Sequence, residues 1–230
     1  MPQLSDPGTV RETAPAPLVM SYLLQRVLIG VIAVLLPFVL VLVNWAAGHG
    51  VQTSMSGYYY TVMRDTFVGS LCAIGVFLVS YDGYDWPDRL ITDAAGLCTV
   101  GIAFFPTTPG GRPTARQVLI GGFHLGFAST AFVLLSVMAF RFAKREPTPP
   151  GLSWWERVKY AFGYTGPGDG QAPRWERVVY RASGLVILTC IILIAPLAGV
   201  RYSLLVLEAV MLVAFGLSWF VKGRKILSGG

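Results

Sequence analysis

Three ionisable side chains lie inside long apolar runs: Asp65, His124 and Glu208. An ionisable group in a bilayer span costs about 3 kcal/mol on insertion scales, so each needs a purpose. At 1.5 Å of rise per residue, each falls about 10–12 Å below the outer end of its run. Three helices therefore offer titratable groups at one depth, which points to an outward-opening polar chamber. As a set they could hold a divalent metal, and a mixed His/Asp/Glu donor set suits zinc. Without metal, the same residues could act as acid and base in catalysis, or pass protons as a relay. The plainer alternative is that the three groups satisfy one another as structural hydrogen bonds or ion pairs.

Other residues are candidates for holding a substrate. Arg64 could anchor a phosphate or carboxylate, and Asn44 lies near the same outer level. Ser54, Ser56 and Tyr59, in the segment Ser54-Met55-Ser56-Gly57-Tyr58-Tyr59-Tyr60, bring hydroxyls toward the chamber. Ser54 or Ser56 would need a base to act as a nucleophile, and His124 is the evident one. A serine here also suits a helix N-cap. The second histidine, His49, sits in a glycine-flanked loop.

These residues need helices long enough to span lipid. Apolar residues make up 54% of the chain and charged ones 13%, about half the share of a soluble domain. A crossing takes about 20 apolar residues. Six runs are expected to cross, over residues 22–45, 58–81, 90–105, 118–142, 178–197 and 202–221. The fold class is thus all-α, a single polytopic bundle over residues 18–225. Residues 1–17, with Pro2, Pro7, Pro15 and Pro17, read as a disordered tail. Placing both termini in the cytoplasm puts fourteen of the eighteen Lys and Arg residues inside, the asymmetry that cytoplasmic loops carry. The expected location is a bacterial plasma membrane.

The longest polar interval carries Trp154, Trp155, Val158 and Phe162 at helical spacing. Residues 152–163 are expected to form an amphipathic helix on the inner membrane surface. At the inner turn between the second and third runs, Asp82, Asp85, Asp88 and Asp93 face Arg177 and Arg181, with Asp93–Arg181 the expected ion pair. Gly122 and Gly126 form a G-x-x-x-G ridge, and Gly69 with Ala73 another. Such ridges serve packing within one subunit or a homo-oligomer contact. Asp65, Gly69 and Cys72 share a face that is expected to point into the bundle.

The net charge of +6 lies at the ends of apolar runs, so the partners it implies are membrane lipids, not nucleic acid. Phosphate-binding, dinucleotide and G-x-S-x-G signatures do not occur. No lysine falls within the expected spans, which argues against a retinal Schiff base. Cys72, Cys98 and Cys190 all lie in apolar runs and read as core residues.

The stretch Ser54 to Thr107 resembles a family of uncharacterised bacterial multi-pass membrane proteins. The carrying residues are Ser54 to Thr61, Val68 to Gly75, Tyr81-Asp82-Gly83-Tyr84-Asp85 and Phe105-Pro106-Thr107, joined later by Glu208 and Gly216-Leu217-Ser218-Trp219. That resemblance implies a fold and no activity. A remoter one is to the superfamily of alkaline ceramidases and progestin-type receptors, which use histidines, an aspartate and a serine around zinc. The present chain lacks their paired histidines. Three uses follow: a membrane enzyme acting on a lipid or lipid-linked group, such as a hydrolase; a proton-coupled transporter or channel; or a non-catalytic assembly or sensor subunit.

Overall fold

The computed structural model describes residues 16–145 and 175–227, and the placement of side chains for residues 24–145 and 175–223. The expected amphipathic helix at 152–163 and residues 1–15 of the expected tail lie outside the described residues. Among the described residues six α-helices follow one another: α1 Ala16–Ala46, α2 Arg64–Val79, α3 Trp86–Phe104, α4 Ala115–Lys144, α5 Trp175–Ile194 and α6 Ser203–Leu227, with a 3-10 turn at Ser56–Tyr60 before α2. No strand occurs among the described residues. Each helix packs on the next, and α6 closes the ring against α1.

The helix starts carry local causes. Asp85 caps α3 by accepting from the Asp88 amide, with Pro87 in the first turn, where its missing N–H costs nothing. Thr114 and Gln117 form a reciprocal capping box on α4. Pro37 lies inside α1, as the sequence suggests.

Among the described residues four helices are long and apolar enough to cross a membrane: Leu24–Ala46, Ala115–Lys144, Trp175–Ile194 and Ser203–Gly223. Their outer faces are apolar, with Leu42, Leu125, Ile192 and Val206 each more than half exposed. A surface of that kind needs lipid around it, so the chain is a membrane protein. The other two helices fall short by length and charge. With 16 residues, α2 spans about 24 Å, less than a hydrocarbon core of about 30 Å. Helix α3 carries Asp88, Arg89 and Asp93.

The interior divides into two apolar clusters. One, toward the α4 C-terminus, centres on Trp219, whose ring meets Tyr81, Phe142 and Phe215 edge-on at centroid distances of 4.9, 5.4 and 6.1 Å. The other, toward the α4 N-terminus, gathers Tyr58, Met55, Phe67, Leu40 and Leu212. Close helix approach is made by other glycines than the expected ridges. A Cβ on Gly30 would lie 2.7 Å from the Gly216 carbonyl, and one on Gly96 2.6 Å from the Gly75 carbonyl. Gly69, Gly122 and Gly126 have nothing within 4 Å of that position. Their ridges face outward, so packing within the subunit does not explain them. The face of α2 holding Asp65 and Gly69 likewise points away from the bundle.

Helix α6 runs past the expected end of the sixth span and takes in Lys222, which is 4% exposed. A lysine does therefore lie within a membrane-crossing helix, contrary to the sequence expectation. Its four-carbon stem packs against aromatics, which is why an apolar-run boundary drawn at residue 221 excluded it.

Candidate functional site

At the α4 N-terminal end, three elements meet on one hydroxyl. Ser56 opens the 3-10 turn, His124 comes from the third turn of α4, and Glu208 from the second turn of α6. The Ser56 Oγ lies 2.9 Å from His124 Nε2, and His124 Nδ1 lies 2.7 Å from the Phe105 carbonyl oxygen. Ser56 and His124 are 7% and 5% exposed.

The proton positions follow from the partners. A carbonyl only accepts, so Nδ1 carries the hydrogen. In the neutral ring Nε2 is then the acceptor, and the Ser56 hydroxyl donates to it. Glu208 Oε1 is the weaker option for that proton, at 3.4 Å against 2.9 Å. Glu208 instead holds the loop: its Oε2 accepts from the Met55 amide at 2.6 Å. The loop is tied a second time where the Leu205 amide donates to the Thr53 carbonyl at 3.0 Å. The turn that leads into α6 has Tyr202 at φ 64°, a left-handed conformation costly for a bulky residue.

The histidine is aimed by the segment after α3. This segment leaves the helix at Phe105 and Pro106, and Thr108 lies against α4 at Gly121. A Cβ on Gly121 would come within 2.0 Å of Thr108 Oγ1 and 2.7 Å of its backbone nitrogen. Only a glycine lets the Phe105 carbonyl approach the histidine one turn further on.

Beside the triplet lies a cavity of about 240 Å³. Ser54, Ser56, Thr107 and Thr108 line it together with the apolar Phe132, Ile191 and Met211. The volume falls under the range of about 300–1,000 Å³ that takes a whole drug-sized ligand. It fits the reacting part of a longer molecule.

The expected site residues divide. His124, Glu208, Ser54 and Ser56 line the cavity. Ser54 has the capping role, its Oγ accepting from the Gly57 amide at 3.0 Å. Asp65 does not join them: it is exposed, in the first turn of α2. The helix begins at Arg64 and not at Tyr58, because the tyrosines are spent in the 3-10 turn, so the depth inferred for Asp65 fails. Arg64 bonds the Tyr59 hydroxyl at 2.9 Å and stacks over that ring, away from the cavity. Asn44 is fully buried and ties down the loop after α1 by donating to the Gly50 carbonyl at 2.7 Å. With Asp65 apart, no group of three or more His, Cys, Asp or Glu side chains among the described residues is placed to hold a metal ion.

At the opposite end the expected Asp93–Arg181 pair is replaced by a network. Asp88, 1% exposed, pairs with Arg141 and Arg145, and Asp85 pairs with the same two arginines. Arg89 meets Asp82 at 3.5 Å. The reason is the antiparallel packing of α3 on α4, which sets the start of one beside the end of the other. Asp85 is held below its ordinary 3.8, first by the Asp88 amide and then by Arg145 and Arg141.

No known family model, curated protein or solved structure matches the chain.

Proposed function

We propose that this protein is a membrane hydrolase that cleaves an ester or similar acyl bond in a lipid or lipid-linked substrate, with Ser56 as nucleophile and His124 as general base. The observation that carries this reading is the 2.9 Å Ser56–His124 bond, made by a ring whose other nitrogen is fixed by the Phe105 carbonyl. A hydroxyl is a weak nucleophile until a positioned base takes its proton. Here Ser56 Oγ would attack the acyl carbon while its proton passes to Nε2. The alkoxide of the leaving group then departs with that proton, leaving acyl-Ser56. Water then attacks the acyl carbon and passes its proton to Nε2, and as the acyl–Oγ bond breaks Nε2 returns that proton to Oγ, releasing the carboxylic acid. The substrate class rests on the cavity, whose lining joins hydroxyl side chains to apolar ones in a chain with lipid-facing helices. A carbonyl in place of a triad carboxylate orients the ring but stabilises its charged form less than a full negative charge would, which suits slow turnover.

This reading goes with six crossings and both termini in the cytoplasm, α2 and α3 spanning with help from the turns beside them. The cavity then opens outward in a bacterial plasma membrane.

The test is labelling of purified protein with a fluorophosphonate, which traps base-activated serines. Adduct at Ser56, lost in Ser56→Ala and strongly slowed in His124→Ala, supports the reading. Equal labelling of Ser56→Ala sinks it.

One observation favours a second reading. Glu208, Ser56 and His124 form a continuous chain with links of 3.4 and 2.9 Å, a route for a proton in a coupled transporter. Proton flux in liposomes that Glu208→Gln leaves unchanged would remove that alternative.

A further inference from the structure

At the end of the bundle away from the cavity, two buried cations among the described residues have no carboxylate partner. Lys222 lies fourteen residues beyond Glu208 on α6, about 21 Å along the axis. Its ammonium sits 4.9 Å from the centre of the Tyr84 ring, 5.1 Å from Phe142 and 5.7 Å from Tyr180. Arg26 of α1 is 8% exposed, lies over the Tyr81 ring at 4.9 Å, and keeps a buried Nε without a hydrogen-bond partner.

The acids nearby are committed elsewhere. Asp85 and Asp88 serve Arg141 and Arg145, and Asp82 serves Arg89. Asp93 lies five residues further along α3 than Asp88, with its buried Oδ1 unpartnered, and no ion pair links it to either cation. Among the described residues, then, neither Lys222 nor Arg26 has a carboxylate partner. Buried charges are ordinarily paired, and aromatic faces replace only part of the lost hydration. Tyr84 stacks on Lys222 and also on Arg145, at 5.2 Å, so the caged ammonium joins the ion-pair network.

We propose that Lys222 and Arg26 form a binding site for a phosphate-bearing anion at this end of the bundle. Basic pockets between helices at a membrane surface bind anionic headgroups in this way. The phosphate can come from an anionic phospholipid or from solution, and the site is independent of the Ser56 chemistry.

The test reads the thermal unfolding midpoint of the full chain in phosphatidylcholine nanodiscs, then with phosphatidylglycerol added to the bilayer, then with inorganic phosphate added in phosphatidylcholine alone. A ligand that binds only the folded state raises the midpoint. A rise of several degrees with phosphatidylglycerol only assigns the site to a headgroup; an equal rise with inorganic phosphate assigns it to a free anion. Lys222→Gln and Arg26→Gln are each expected to lose most of the rise, while Lys222→Arg keeps it. No rise in either arm overturns the proposal, as does a rise that both glutamine variants retain in full. If the glutamine variants do not fold, native mass spectrometry of the wild-type chain decides. Phosphatidylglycerol or phosphate adducts that outlast phosphatidylcholine adducts sustain the site, and equal retention overturns it.

Discussion

The two ends of this bundle hold polar groups in opposite ways. At one end a serine, a histidine and a glutamate share short hydrogen bonds beside a cavity, and every link comes from a different element. At the other, arginines and aspartates close on one another, and aromatic rings stand against Arg26 and Lys222. The first arrangement leaves a reactive hydroxyl facing space. The second converts charge into helix-to-helix attachment. The difference teaches that ionisable residues in lipid are not one class: a bonded group that also borders space can react, and a group paired on all sides can only hold.

The comparison can be broken by mutation. The largest effect is expected at the cavity. Ser56→Ala and His124→Ala should each lower acyl-bond cleavage by about a hundredfold to ten-thousandfold, the worth of a positioned base or nucleophile, with little change in unfolding temperature. Hydrolysis of a panel of lipid esters by purified variants measures this. A variant that loses stability and not activity would reverse the assignment of the two ends. Next comes Asp88→Ala, which removes a buried carboxylate and leaves Arg141 and Arg145 with Asp85 alone, and should cost about 3 kcal/mol in unfolding. Fluorophosphonate labelling of the folded fraction should not change. Gly121→Ala should follow at about 2 kcal/mol, because Thr108 must move. Unlike Asp88→Ala, it should also slow labelling, since the Phe105 carbonyl moves with that segment.

The smallest effect concerns pH. Asp85 binds its proton less readily in the folded chain than in the unfolded one. Its stabilising share is therefore complete above its unfolded value and is lost as pH falls through the lower folded value. Asp85→Asn should flatten the decline in unfolding temperature below about pH 4, measured by tryptophan fluorescence. The Ser56 end should show no matching change.

Much of this was readable in the residues, for reasons specific to each. Apolar runs gave four helices directly, since lipid imposes length and composition. His124 and Glu208 stood out because a titratable group in such a run is costly. Depth counting failed for Asp65 because it assumed a helix starting at Tyr58, whereas the tyrosines form a tighter turn with a different rise. The G-x-x-x-G pattern misled because it reports spacing on one helix and says nothing about a partner. The close approaches at Gly30 with Gly216 and Gly75 with Gly96 each pair single glycines from two helices. The role of Phe105 was hidden because a backbone carbonyl has no side-chain signature. Gly121, directly before the G-x-x-x-G pair, was the available hint.

The ring order of the helices bears on how the site comes into being. Each helix leaves the ribosome just after the neighbour it packs on, so α1 to α5 can assemble in sequence. Glu208, which grips the loop carrying Ser56, belongs to the last of the described helices. The serine loop is therefore pinned only once α6 has been made and has sealed against α1. A chain halted before that point holds Ser56 and His124 without the anchor between loop and bundle.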